Sequence, residues 1–230
     1  MAEWVTRISD VLSQSTLTDT EKQNNALCAM AILNRELGWS LEAVAGALGN
    51  IQRESSLNAG ACESGRGIPR SGSLYYGGGL GLIQWTDYPA YTKRYVHPLL
   101  WYADYVDGNW YDGSLQCRLL DKATDPVITD CGVGQGARWG WMQSSDYPSI
   151  SFDAYRSFTG SVDDATTYFY HCMEMHSSYQ DALDLRKSYA NFWYSYLQGE
   201  DPDPPEPTPT PPVYSSKSKM PVWMLCRRPY

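Results

Sequence analysis

Apolar residues recur at helical spacing through most of the first 198 positions, which predicts a chain built mainly of helices. Thr18-Asp19-Thr20-Glu21 fits a capping box and opens a helix through Leu27, Met30, Ala31 and Leu37, stopped by Gly38. Ser40 caps the next helix, where Leu41, Val44, Ala45, Leu48 and Ile51 form an apolar stripe. Further helices are expected over 91–105 with an interruption at Pro98, and over 114–123, 162–174 and 180–198, the last closed by Gly199. The period fails over residues 58–85, which are rich in glycine and read as loop or small hairpin, and the glycine-rich 132–140 reads as irregular. The expected class is α+β, mainly α, with one small β or loop region after the second long helix.

Composition shifts sharply at residue 199. Residues 199–212 hold Glu200, Asp201, Asp203 and Glu206 among prolines, so neither helix nor sheet is expected there. An extended polyproline spacer rising about 3.1 Å per residue would span roughly 35 Å from Pro202 to Pro212. Residues 213–230 carry Lys217, Lys219, Arg227 and Arg228 around an apolar centre, Met220 to Leu225, too short to fold alone. The expected organisation is a lead-in helix over 1–17, a catalytic domain over 18–198, a linker over 199–212 and a basic segment over 213–230.

The net charge of −8 argues against nucleic acid, because phosphate binding needs a basic surface. No run of apolar residues is long enough for a transmembrane segment, and the acidic start Met1-Ala2-Glu3-Trp4 gives no signal peptide. Cys28, Cys62, Cys117, Cys131, Cys172 and Cys226 allow fifteen complete pairings; buried free thiols are the plainest reading, and no C-x-x-C suggests zinc. His171 and His176 lie five apart, a poor match to His-Glu-x-x-His, so no metal or cofactor is expected.

Chemistry concentrates at the end of the Ser40 helix. Ala43, Ala47, Asn50 and Glu54 follow one another at spacings of four, three and four, so they share a stripe beside the apolar face. Small residues there let other elements approach and partly desolvate the Glu54 carboxyl. The helix C-terminal end, with its partial negative charge, also favours the protonated form that a general acid needs. Gly79-Leu80-Gly81-Leu82-Ile83-Gln84-Trp85-Thr86 then offers an amide that can bond sugar hydroxyls and an indole that can stack on a pyranose face. Glycosidases usually pair two carboxyls, and Glu63 and Asp87 are the best-placed candidates for the second.

Glu54-Ser55 with downstream Gly81-Leu82-Ile83-Gln84 resembles the signature of goose-type lysozymes and lytic transglycosylases. More closely, Gly49-Asn50-Ile51-Gln52-Arg53-Glu54-Ser55, Asn58 and Gly81-Leu82-Ile83-Gln84-Trp85-Thr86 resemble the phage tail lysozyme family. Residues 164–169 and 186–194 are similar to its closing helices. The family often has Phe-Glu-x-Pro after its penultimate helix, where this chain has Cys172-Met173-Glu174-Met175-His176. The resemblance implies a lysozyme-like fold that cleaves the β-1,4 linkage of host peptidoglycan, acting from a virion tail or at the host wall. It implies Glu54 as general acid and Gln84 as a sugar-positioning amide, followed by Trp85. It also suggests tail-protein partners reached through the linker and 213–230. Lytic transglycosylases manage with one glutamate, so both hydrolysis and transglycosylation fit.

Two rival readings are weighed against this. A non-catalytic wall-binding or structural tail module could keep the fold, although such a module has no need of Glu54. A Cys–His peptidase using Cys62 and His97 has no local signature in its favour.

Overall fold

A computed structural model describes residues 3–65, 67–69, 78–86, 88–89, 95–134, 136–137, 139–174 and 180–199. The expected linker beyond Gly199, the segment 213–230, Asp87, His176 and Cys226 lie outside the described residues. The described chain is mainly α.

The organising element is α3, Leu41–Ser55. Ser40 caps it as expected, its hydroxyl accepting from the Ala43 N–H at 3.1 Å. From Val44 to Ile51 the apolar stripe is fully buried, with Leu41 partly so, and the small residues beside it are buried as well. Those small residues set how closely its neighbours approach. Gly46 faces the backbone of α8, Val162–Cys172, where an added Cβ would stand 2.8 Å from the Ala165 carbonyl carbon. Gly49 faces α9, Gln180–Gln198, where a Cβ would stand 2.5 Å from the Arg186 carbonyl oxygen. Three helices thus pack nearly backbone to backbone, and α3, α8 and α9 form the heart of the fold.

Around this heart lie α2 (Asp19–Met30), α4 (Pro98–Tyr105) and α5 (Gly113–Leu120). The capping box at Thr18 and Glu21 is formed in both directions. The helix it opens does not run unbroken to Gly38: Ala31–Glu36 is wound as a π-helical segment. Of the helix expected over 91–105, residues 91–94 lie outside the described residues, and the helix that is described begins at Pro98. Proline sits at the first helical position, where its missing N–H costs nothing, and Tyr95–Val96 before it forms strand β2, paired antiparallel with β1 (Tyr88–Pro89).

Three short helices complete the described set: α1 (Leu12–Ser15), α6 (Pro126–Thr129) and α7 (Phe152–Arg156). Within the expected lead-in region the described helix is confined to α1, and Ser9 forms a parallel bridge to Ala61. Asn58 fixes this crossing: its amide accepts from the Arg7 N–H at 3.0 Å and donates to the Arg7 and Ser15 carbonyls at 2.8 and 2.9 Å. An aromatic cluster of Trp39, Trp141, Phe152, Tyr155 and Phe169 closes the core, and the Tyr155 hydroxyl donates to the Ala43 carbonyl at 2.7 Å. No described helix is long and apolar enough to cross a membrane.

Candidate active site

Where α3 ends, it delivers Glu54 to a cavity of about 440 Å³, within the roughly 300–1,000 Å³ usual for small-ligand pockets. It is lined by Arg53 and Glu54, by Glu63, by Gly79 and Ile83 to Thr86 of the glycine-rich turn, by Trp139 and Gly140, and by Met173 and Glu174 just beyond α8.

The two sequence motifs meet through their own side chains. The Ser55 hydroxyl donates to the Leu82 carbonyl at 2.9 Å, tying the glutamate helix to the glycine-rich turn. Buried Gln116 braces the same turn. Its amide oxygen accepts from the Leu82 N–H at 2.7 Å, and its nitrogen donates to the Ala59 carbonyl at 2.8 Å. Gly81, at φ +75°, has Gln116 Oε1 where a Cβ would come within 2.5 Å, so both its torsion and its space require glycine. Leu80 and Trp85 exchange backbone hydrogen bonds of 3.0 Å and close the turn.

Gln84 reaches the cavity from a left-handed backbone, φ 53°. Its Nε2 donates to the Gly81 carbonyl at 2.9 Å, which fixes the side chain and turns its acceptor oxygen toward Gly79. Trp85 is 4% exposed and meets Trp139 edge to face at 6.4 Å. It therefore forms a cavity wall, not a projecting stacking platform. Glu63 sits at the exposed rim, where its carboxylate accepts from the Gly79 N–H at 3.0 Å. Glu54, Glu63, Gln84 and Trp85 are thus brought together on one cavity, and Asp87 lies outside the described residues.

Two charged side chains at this site escaped the sequence reading. Arg186, 4% exposed, lies on the inner face of α9 and donates through Nη2 to Glu54 Oε1. Its Nη1 stands 2.8 Å from Glu174 Oε2 and 3.2 Å from Asn50 Oδ1. The guanidinium also lies over the Tyr170 ring, 5.0 Å from its centroid. One cation therefore serves two carboxylates that line the same cavity. Glu54 remains 22% exposed, whereas Glu174 is 3% exposed. Burial pushes the Glu174 carboxyl up to about 8, with Arg186 pulling it down and the charge of Glu54 adding to the rise.

Beside Glu54 the fold thus places a full positive charge that the α3 stripe alone did not reveal. A signal did exist on α9. Leu183, Arg186, Ala190, Trp193 and Leu197 recur at spacings of three and four on the buried face, and a buried arginine among apolar residues requires acidic partners.

The thiol-peptidase reading fails on the same physical ground. Burial pushes the Cys62 thiol up to about 12 and lowers the His97 imidazole to about 4. A reactive pair needs the opposite shifts. The five described cysteines are buried free thiols, and no group of three or more metal-ligating side chains occurs among the described residues.

The phage tail lysozyme family model matches residues 24–197. The chain belongs to the phage tail lysozyme family. No curated protein matches it. The matched span holds every residue of the cavity as well as Arg186, so the site lies wholly within the lysozyme unit. Family membership places the chain among lysozyme-type hydrolases of phage, whose substrate is peptidoglycan.

Proposed function

We propose that the chain is a muramidase-type glycosidase that cuts the β-1,4 linkage between N-acetylmuramic acid and N-acetylglucosamine, acting as a tail-associated lysin on the host wall. The observation that carries this reading is the position of Glu54: a partly exposed carboxyl at the head of a sugar-sized cavity walled by Gln84, Trp85 and Trp139.

In this mechanism the glycan lies across the cavity between α3 and the glycine-rich turn. Protonated Glu54 gives its proton to the glycosidic oxygen as the C1–O bond breaks and the sugar takes on oxocarbenium character. The electron pair of that bond leaves with the oxygen. Water adds at C1 and returns a proton to the Glu54 carboxylate, which restores the acid. Gln84, held by the Gly81 carbonyl, presents its amide oxygen to a sugar hydroxyl or N-acetyl N–H. Trp85 and Trp139 provide an apolar wall. Glu63 at the rim remains the described candidate for a second carboxyl acting on the sugar.

The test is digestion of purified peptidoglycan by the full chain, with products read by mass spectrometry. Muropeptides with reducing N-acetylmuramic acid ends are expected. Anhydro ends would replace water by the sugar's own hydroxyl. Intact walls that bind the protein without fragmentation would overturn the enzyme reading in favour of a wall-binding module.

A further inference from the structure

Catalysis by Glu54 poses a problem that the geometry of Arg186 sharpens. A general acid must hold a proton, yet the nearest full charge to Glu54 is a buried guanidinium in direct contact with it. A carboxylate facing a guanidinium alone would remain ionised. The second carboxylate on the same guanidinium changes this.

We propose that Glu174 and Arg186 are positioning residues that hold one proton in common with Glu54, so that Glu54 is protonated whenever Glu174 takes the charge. This deepens the glycosidase reading above and rests on Glu54 being its acid.

Three features support it. First, Glu54 and Glu174 occupy different nitrogens of one guanidinium, so a single positive charge can balance either carboxylate but not both. With one proton on the pair the cluster is neutral, and without it a buried cluster would carry a net negative charge. Strongly coupled acids of this kind release protons as a pair. Second, Arg186 is fixed. Its Nη1 donates to the Asn50 carbonyl at 3.3 Å and to Asn50 Oδ1 at 3.2 Å, and Asn50 in turn donates to the Gly46 carbonyl at 2.8 Å. The cation cannot follow one partner and abandon the other. Third, the two carboxyls differ in exposure. In the open cavity water solvates Glu54, so its charge costs less there, and the proton rests on buried Glu174, which keeps it up to about pH 8. A glycan that fills the cavity strips water from Glu54. The balance then moves the proton to Glu54 and the charge to Glu174, beside Arg186. The acid is thus armed by occupancy of the site.

Other charged and titratable groups around the cluster are few among the described residues. From α3 there is Arg53, from α8 Tyr170, from α7 Tyr155, and from the glycine-rich loop Glu63. Of these, Tyr170 meets the guanidinium through its ring face, and the carboxylates that share it in the contacts above are Glu54 and Glu174.

The test is the pH profile of kcat/KM for wild type, Glu174→Gln and Arg186→Lys on purified peptidoglycan, with Glu54→Gln as the control for the underlying reading. In Glu174→Gln the guanidinium has Glu54 as its only carboxylate and holds it ionised. The alkaline limb should move down by a pH unit or more, so activity falls at least about fivefold further at about pH 8 than at about pH 5. Arg186→Lys keeps the charge and should retain more activity than Arg186→Met. A uniform loss across pH in Glu174→Gln, with the limb unmoved, would overturn the shared proton while leaving Glu54 as the acid. Full activity in Glu54→Gln would instead remove the glycosidase reading itself. A spectroscopic arm on the wild type guards against a variant that fails to fold: infrared difference spectra should show one protonated carboxyl at neutral pH that vanishes near pH 8. Its absence at neutral pH would overturn the proposal.

Discussion

Replacing Gly49 by alanine sets two effects of opposite sign against each other. Helix propensity alone favours alanine in the middle of a helix by about 1 kcal/mol. The new methyl would meet the Arg186 carbonyl oxygen at 2.5 Å, the Ala190 Cβ at 2.6 Å and the Ala190 nitrogen at 2.8 Å. Two of these atoms are backbone and the third is fixed to it, so no side chain can swing away. Restoring contacts of 3.4 Å or more requires α9 to retreat from α3 by roughly 1 Å. Overpacking of this kind costs about 1–3 kcal/mol, and the rigidity of the obstacle places Gly49→Ala at the upper end. After the propensity gain, a net loss of about 1–2 kcal/mol is expected. For a domain of this size each kcal/mol lowers Tm by about 2–4 °C, so a fall of roughly 2–8 °C should appear in thermal and urea unfolding. Because Arg186 rides on the displaced backbone, kcat/KM should fall as well, in a variant that touches no cavity residue. A Gly49→Ala protein as stable and as active as wild type would refute the claim that backbone contact between α3 and α9 positions Arg186.

Three further outcomes are expected. The folded-state rise at Glu174 means that the folded protein holds a proton that the unfolded chain releases, so this group's stabilisation is lost as pH climbs toward about 8. His97, lowered to about 4, acts oppositely, but only below its ordinary value of 6.5. The urea midpoint should therefore decline between about pH 6.5 and 8, and Glu174→Gln should flatten that decline; an unchanged slope contradicts the assignment. Gln84→Ala should raise KM and reduce kcat/KM about three- to tenfold, the worth of one hydrogen bond, and unchanged kinetics would remove Gln84 from the binding surface. Cys28 and Cys62, pushed up to about 11 and about 12 by burial, should react with an alkylating reagent only after unfolding, as read by mass mapping of digests. Rapid labelling of the folded protein would contradict their burial.

Much of the central helix was legible because local chemistry and tertiary packing agree there. Ser40, the stripe from Leu41 to Ile51 and the small residues beside it all call for a packed helix, and the structure buries it from Ala43 to Ile51. The same agreement fixed α9 at both ends. Periodicity misled where a stronger local rule acted. Pro98 starts α4 instead of interrupting a longer helix, and Ala31–Glu36 changes winding without any change in its apolar pattern. The short α6 and α7 were missed because four or five residues carry no period; their Asp125 and Ser151 caps were the available clue. At the site, residues in contiguous motifs were found, since Ser55 and Leu82 need only one hydrogen bond to join them. Arg186 and Glu174 were not, because their roles depend on a meeting across 132 and 120 residues from Glu54 and on burial that only the folded core supplies.

The central claim is that Glu54 is the acid of a glycosidase, and it is most directly tested by comparing wild type with Glu54→Gln on purified peptidoglycan near neutral pH, with wall binding measured in parallel. The account predicts a fall in turnover of about 10²–10⁴, the usual worth of a general acid, with binding retained because Gln84, Trp85 and Trp139 are untouched. A Glu54→Gln protein that cuts peptidoglycan within about threefold of wild type, too little for the loss of a general acid, would contradict it.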